Sequence, residues 1–188
     1  MQNIEIEYKV LVSQKDLDKL KEYFNNNQFQ YKYYEQVNTY FDTVDFKLKT
    51  KKVSLRIRNI ENENKYLLTL KEKAKEGRLE TDFIVKDNQK SSIPTQIIQT
   101  IESYGFNFEE VNEIAKLKTI RYEYKYNNCL ICLDYNYYYG KEDFEIECEA
   151  SSMELAKSII EKLLEKLNIS YCRAQYPKTI RAIKSKTA

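Results

Sequence analysis

Eight segments of the chain alternate apolar and polar residues, the pattern of a β-strand with one face in a protein core. These segments are rich in β-branched and aromatic residues, which favour strands. They lie at 2–11, 37–43, 53–60, 65–71, 78–85, 119–126, 129–135 and 143–150. The pattern therefore predicts about eight strands.

Three other segments have the spacing of an amphipathic helix, with apolar residues at i, i+3 and i+4. The first begins at Ser13, which is followed three residues later by Asp16, a typical helix start. The second covers 93–103 and the third covers 151–167. The basic segment 181–186 is predicted to be a solvated end. Helices that interrupt antiparallel strands predict an α+β fold.

The polar face of several predicted strands is charged, and this face has two interpretations. In the first, an open antiparallel sheet packs one face on the core and exposes the other to water. In the second, the sheet closes into a barrel whose charged faces line a lumen and whose apolar faces are covered by helices. Two details favour the barrel. Acids concentrate on the first and last strands, and two of the 6 arginines, Arg56 and Arg58, share one strand face.

Composition limits the chemistry that the chain can perform. The 188 residues carry a net charge of +2, and this near balance does not favour nucleic-acid binding. No apolar run is long enough to cross a membrane and the chain starts without an apolar signal core, so a cytoplasmic location is expected. Histidine is absent, which excludes Ser-His and Cys-His pairs. Carboxylates, Lys, Arg, Tyr or metals must carry any reaction.

A set of short motifs follows the chain in a fixed order. Glu5-Ile6-Glu7-Tyr8-Lys9 is an ExExK pattern, which alone is weak in a chain so rich in Glu and Lys. The motifs that follow it along the chain make the pattern specific. They are Tyr40-Phe41-Asp42-Thr43, Leu55-Arg56-Ile57-Arg58, Leu68-Thr69-Leu70-Lys71, Arg78-Leu79-Glu80-Thr81, Arg121, Phe144-Glu145-Ile146-Glu147-Cys148-Glu149 and Lys178. In that order these residues resemble the CYTH family, also called triphosphate tunnel metalloenzymes, and its bacterial stand-alone members in particular.

The resemblance covers nearly the whole chain and implies one domain over 1–188. The implied fold is an eight-stranded antiparallel β-barrel, the triphosphate tunnel, with flanking helices. A small-molecule triphosphate would be its ligand, bound with Mg²⁺ or Mn²⁺. No nucleic acid or membrane partner is expected, and the protein would be a monomer or a homodimer.

The resemblance also implies roles for individual residues. The implied metal ligands are Glu5, Glu7, Glu145 and Glu147. The implied triphosphate-binding residues are Lys9, Arg56, Arg58, Lys71, Arg121 and Lys178. The implied catalytic set is Glu5, Glu7, Lys9 and Glu80. Asp134, like Glu80, matches the family less closely and is expected to support the site or orient water. Glu149 shares a face with Glu145 and Glu147, so it either joins or replaces one of them at the metal.

Chemistry argued from the residue types agrees with these roles. Carboxylate oxygens are hard ligands that suit Mg²⁺ or Mn²⁺. Phosphoryl transfer depends on positioning and charge neutralisation more than on a covalent catalyst. The sequence therefore predicts a metal-dependent triphosphate hydrolase, with inorganic triphosphatase activity that releases orthophosphate as the leading assignment.

Three alternatives remain open: class IV adenylate cyclase, a thiamine or nucleoside triphosphatase, and a non-catalytic module that binds polyphosphate or nucleotide. Family cyclases often carry a His-Phe pair before ExExK. This chain has no histidine and only four residues before Glu5, which weakens the cyclase alternative.

Overall fold

The structure is a computed structural model that describes residues 1–186. The strands in this range are β1 (Gln2–Glu5), β2 (Glu7–Val12), β3 (Tyr31–Asp42), β4 (Ser54–Ile60), β5 (Lys65–Lys73), β6 (Arg78–Val85), β7 (Asn112–Tyr126), β8 (Cys129–Tyr138) and β9 (Lys141–Glu149). The helices are α1 (Gln14–Asn26), α2 (Lys47–Thr50), α3 (Thr95–Ser103), α4 (Met153–Lys166) and α5 (Lys178–Lys186).

All nine strands belong to one antiparallel sheet in the order β1-β6-β5-β4-β3-β7-β8-β9-β2. The two edge strands, β1 and β2, are consecutive in the chain and separated by Ile6 alone. The sheet therefore curls until its two edges meet at Ile6, where the backbone N–H of Ala150 donates to the Ile6 carbonyl group over 3.1 Å. The predicted antiparallel barrel with flanking helices is confirmed.

The number and length of the strands differ from the expectation. The first predicted strand divides at Ile6, since its two halves pair with different neighbours, and eight strands become nine. β3 and β7 are also longer than predicted and pair along Tyr31–Asp42, with a bulge at Tyr40/Phe41. Residues at the start of β3 are exposed or half-buried, so alternation is weak there.

Helices α1 and α4 cover the outer face of the barrel along β2, β7, β8 and β9. Each helix starts at a serine whose hydroxyl oxygen accepts a backbone N–H, Ser13 from Asp16 and Ser152 from Leu155. Such a cap satisfies a donor that the first turn leaves free. The buried residues of the two helices follow the predicted i, i+3, i+4 spacing: Leu17, Leu20, Phe24, Ala156, Ile159, Ile160, Leu163 and Leu164. These helices therefore bury the apolar outer face, which leaves the charged face for the lumen.

Helix α3 covers the opposite side of the barrel. Its Ile97 and Ile101 are buried in a second core with Leu55 and Ile57 of β4 and Leu68 of β5. Within residues 1–186, none of the helices is both long enough and apolar enough to span a lipid bilayer.

The C-terminal segment corrects the prediction of a solvated end at 181–186. This segment belongs to helix α5, which contacts β7 and β8. Ala182 is fully buried with Tyr40, Ala115 and Leu117. Ala115 and Leu117 pair with Tyr40 and Asn38 on the inner face of the sheet, so α5 lies against the lumen side of the barrel.

Gly77, in the turn between β5 and β6, lies directly against the backbone of the first strand, β1. It has φ of +66°, and a Cβ atom there would lie 2.1 Å from the carbonyl oxygen of Glu5. Gly77→Ala is therefore expected to lower the free energy of unfolding by about 2–4 kcal/mol, because backbone strain and a clash with β1 add together. Urea denaturation measures this loss. Gly140→Ala is the matched control, since Gly140 has φ of +74° but open space around its Cβ position. An equal loss in both variants would contradict the role of the clash.

Candidate active site

The inner face of the barrel brings the predicted site residues together on neighbouring strands. Register pairs Lys9 with Glu147, Arg121 with Asp134, and Asp134 with Glu145. On the other wall, Lys71 pairs with Glu80, and Arg56 lies between Tyr40 and Thr69. Lys178 reaches this face from α5. All eleven residues predicted for the metal, the substrate or catalysis lie on the strands or the helix that form the lumen.

Asp134, Glu145 and Glu147 form a buried cluster, which we call the acid triad. One carboxylate oxygen from each residue lies within 4.8 Å of the other two. Asp134 and Glu145 have no exposed side-chain surface. The triad arises because Glu145 and Glu147 are two apart on β9 while Asp134 is the direct neighbour of Glu145 on β8.

Four cations contact the acid triad: Arg121, Lys9, Lys178 and Arg181, the last of which donates to Glu145 over 2.7 Å. The Arg121 guanidinium donates two hydrogen bonds of 2.7 Å to Asp134 and a third, of 2.5 Å, to Glu147. Lys9 Nζ donates to Glu147 over 3.0 Å. Lys178 Nζ contacts Asp134 and lies 3.1 Å from Glu145 and 2.8 Å from Glu147. Every carboxylate of the triad is thus paired with at least one cation.

The pKa values of the triad depend on burial, which opposes ionisation, and on the nearby cations, which favour it. Burial alone would raise the pKa of Glu147, but Lys178, Lys9 and Arg121 outweigh it and hold this pKa well below its usual range. Burial likewise opposes ionisation of Asp134, and Arg121 with Lys178 lowers its pKa. For Glu145 burial prevails and raises the pKa to about 7. The triad therefore holds at least two firmly ionised carboxylates in a site with little water.

Lys71 organises a second group of carboxylates. Its ammonium lies 2.6 Å from Glu5 and is also paired with Glu80. Glu7 lies outside this group and is paired with Lys9 over 2.6 Å. The four acids predicted to bind metal are therefore divided in this structure. Glu145 and Glu147 belong to the acid triad, whereas Glu5 and Glu7 each hold a lysine.

Glu149 lies between these two groups of acids. Burial raises its pKa to about 7, and Glu5 and Glu147 add to this effect. It shares the inner face of β9 with Glu145 and Glu147, but it is not part of the triad. A cavity of about 700 Å³ opens beside Glu5 and Glu149 and is also lined by Lys125 and Tyr126. The cavity therefore lies at the end of the sheet where β1 and β9 carry these two acids.

Arg56 and Arg58 are adjacent inner-face cations on β4, and neither has a carboxylate partner among residues 1–186. Among residues 1–186, the arginines in ion pairs are Arg121 and Arg181. Arg58 Nε donates to Asn38 over 3.0 Å, and the buried Nε of Arg56 has no hydrogen-bond partner within the same range. Burial lowers the pKa of Arg58, and the positive charges of Arg56 and Arg121 lower it further. Two partly buried, uncompensated guanidinium groups form a strong site for an anion.

The acid triad has the donor set of a divalent-cation site. Its ligands are carboxylate oxygens, the type that Mg²⁺ and Mn²⁺ prefer. Glu145 Oε1 is buried and accepts no hydrogen bond from residues 1–186, although Lys178 lies nearby. A buried carboxylate oxygen without a hydrogen bond has spare capacity for a ligand. The residues present therefore fit a divalent metal.

Three residues of the site were not found by sequence reasoning. Arg181 donates to Asp143 over 2.8 Å and to Glu145 over 2.7 Å, which ties α5 to β9. Asn38, which is almost fully buried, holds Arg58. Asp143 continues the alternation of Glu145 and Glu147, and Asn38 lies in the predicted strand 37–43. The sequence thus contained a signal for both of them.

Comparisons with known proteins agree with this geometry. The CYTH domain pattern matches residues 3–175. A Bacillus subtilis (strain 168) protein named "Putative triphosphatase YjbK" is 34% identical over 172 residues, which cover 89% of this chain and 88% of the relative.

Solved structures share the same fold. A Bacillus halodurans protein described as "a putative adenylate cyclase" has a TM-score of 0.79 and 29% identity, covering 96% of this chain and 97% of its own. HpAC1 from Hippeastrum has a TM-score of 0.78 and 24% identity, covering 99% of this chain and 96% of its own. Since the family pattern spans nearly all of the barrel, this chain belongs to the CYTH domain family.

Proposed function

We propose that this protein is a divalent-metal-dependent hydrolase of triphosphate compounds, with inorganic triphosphate as its leading substrate and orthophosphate as a product. The observation that carries the proposal is the contrast between the two walls of the lumen. Arg56 and Arg58 offer unpaired positive charge on β4, and the acid triad offers buried carboxylates on β8 and β9. The name of the Bacillus subtilis relative supports the same reaction class.

A triphosphate would bind along the line of cations. It carries about four negative charges near neutral pH, and its placement relies on charge-assisted hydrogen bonds from Lys and Arg. Arg56 and Arg58 can bind phosphate oxygens directly, because neither has an ion pair with a carboxylate to break. Lys9, Lys71 and Lys178 sit in ion pairs with acids and can exchange those partners for phosphate oxygens.

The acids of the opposite wall would hold the metal. Asp134, Glu145 and Glu147 are its proposed ligands here, with Glu5 and Glu7 next to them as the predicted extension of the set. A divalent cation bound there supplies neutralisation of phosphate charge in the transition state.

Glu80 is proposed to orient the attacking water. Its half-buried carboxylate is paired with Lys71, which fixes its position on the inner face of β6. Water adds to the terminal phosphorus while the bond to the bridging oxygen breaks. The products are orthophosphate and pyrophosphate, and the displaced proton passes to a carboxylate or to the products. Every binding residue named is a cation that would contact phosphate, so the proposal needs no ligand larger than inorganic triphosphate.

The proposal is tested by phosphate and pyrophosphate release from tripolyphosphate, ATP and thiamine triphosphate, with Mg²⁺, Mn²⁺ or EDTA. Orthophosphate release that is fastest from tripolyphosphate and is lost in EDTA is the expected result. Cyclic AMP with pyrophosphate from ATP would instead assign a cyclase, the activity in the name of the Bacillus halodurans relative. Binding of tripolyphosphate without turnover of any compound would assign a binding module.

Arg56→Ala is expected to lower kcat/KM for tripolyphosphate by about 10- to 150-fold. This range corresponds to the loss of a charge-assisted hydrogen bond of about 1.5–3 kcal/mol. Steady-state orthophosphate release measures it. Arg173→Ala is the control, because Arg173 is exposed and lies over the ring of Tyr8. Equal activity of the Arg56 variant and the wild type would remove Arg56 from the substrate site.

A further inference from the structure

Lys178 occupies the centre of the acid triad. Its Nζ contacts one oxygen of each carboxylate: that of Asp134, that of Glu145 at 3.1 Å and that of Glu147 at 2.8 Å. A divalent cation needs these same oxygens. The ammonium group and a metal ion therefore compete for one position.

Charge balance makes this competition strong. Lys178, Arg121, Lys9 and Arg181 already pair with the three carboxylates, and the first two share Asp134. A divalent cation that entered while Lys178 stayed would put positive charges side by side in a buried site, where Coulomb interactions are strong. An ammonium that leaves the triad needs another anion, because an unpaired buried charge is costly.

The surroundings allow Lys178 to move while its helix stays in place. Lys178 is the first residue of α5, and the helix is anchored separately by Arg181 and by the buried Ala182. A lysine side chain is a flexible four-carbon stem with a compact charge, so it can reorient without the backbone. Phosphate groups held by Arg56 and Arg58 would lie in the same lumen as the ammonium and offer it another anion.

We propose that Lys178 is a displaceable counter-ion: it fills the metal position in the free protein and moves to the phosphates when metal and triphosphate bind together. This inference rests on the proposed function for the identity of the anion. It gives Lys178 a role in metal affinity in addition to phosphate binding. By linkage, triphosphate then raises the affinity for the metal and the metal raises the affinity for triphosphate.

Mn²⁺ titration without any phosphate compound, followed by the electron paramagnetic resonance signal of free Mn²⁺, tests the competition. Lys178→Met is expected to bind Mn²⁺ about tenfold or more tightly than the wild type, because the competing charge is gone. The control is Lys186→Met on the same helix, since Lys186 is exposed and donates to the Ile114 carbonyl group. Its Mn²⁺ affinity should equal that of the wild type. Equal affinity in Lys178→Met and the wild type would overturn the proposal.

A second measurement uses the wild-type protein and so stands even if Lys178→Met fails to fold. Amines are acetylated with an N-hydroxysuccinimide ester, and modification of Lys178 is followed by mass spectrometry. Mn²⁺ alone should increase modification of Lys178 by releasing it from the triad, and added tripolyphosphate should protect it again. Binding of Mn²⁺ with unchanged modification would contradict displacement. Orthophosphate release by the wild type is recorded in parallel, so that failure of the counter-ion role is separated from failure of the proposed function.

Discussion

Glu147→Gln is expected to lower kcat/KM for tripolyphosphate by at least about a hundredfold. The carboxylate is shared by Arg121, Lys9 and Lys178, and it is one of the three proposed metal ligands. Glutamine keeps the shape but removes the negative charge, so the metal loses a ligand. Loss of residues that only support a metal ligand costs about 10- to 100-fold, and loss of the ligand costs more.

The comparison that makes this result specific is Glu142→Gln on the same strand. Glu142 is exposed on β9, so its replacement should leave orthophosphate release at the wild-type level. Circular dichroism and urea denaturation establish that both variants are folded. Full activity of the Glu147 variant would remove the acid triad from the reaction.

Asp134→Ala is expected to lower the free energy of unfolding by about 3–5 kcal/mol, the usual cost of removing one partner from a buried ion pair. Asp134 has no exposed surface and receives two hydrogen bonds from Arg121 and a contact from Lys178. Its loss leaves positive charge buried between β7 and β8. Urea denaturation in the absence of metal and phosphate measures the effect.

The double variant Arg121→Met with Asp134→Leu provides the internal control. Replacing both members of a buried pair by apolar side chains often restores stability, so the double variant should be more stable than Asp134→Ala. The pair would be shown to contribute little if Asp134→Ala unfolded at the same urea concentration as the wild type.

Much of the barrel could be predicted because alternation records the two environments of each strand. The outer faces meet α1, α3 and α4 and are apolar, and the inner faces are charged. The break at Ile6 could not be predicted in this way. It depends on which neighbour each half of the first strand pairs with, and this is a property of the whole sheet.

Helix α5 was missed for a physical reason. A search for apolar stripes finds helices that pack on an apolar surface, but α5 lies on the charged inner face of the barrel. It contributes Lys178 and Arg181 to carboxylates, and its buried apolar residues are Ile180 and Ala182. A helix that carries charges into a charged lumen looks from its sequence like a solvated tail.

The central position of Asp134 was underestimated for a related reason. In the sequence it is a single acid in the largely apolar strand β8. Its importance follows from register, which places it between Arg121 and Glu145. The pairs Glu145 with Glu147 and Arg56 with Arg58 were easier to recognise, because residues two apart on a strand share a face whatever the register.

The central claim is that the metal and the triphosphate bind on opposite walls of one lumen. The most direct test is anomalous X-ray diffraction from crystals grown with Mn²⁺ and a triphosphate analogue whose bridging groups resist hydrolysis. The expected result is an Mn²⁺ peak bounded by carboxylates of the acid triad, with phosphate groups on Arg56 and Arg58 in the same lumen. Mn²⁺ and analogue both bound outside the barrel, with the acid triad still paired to Lys178, would contradict it.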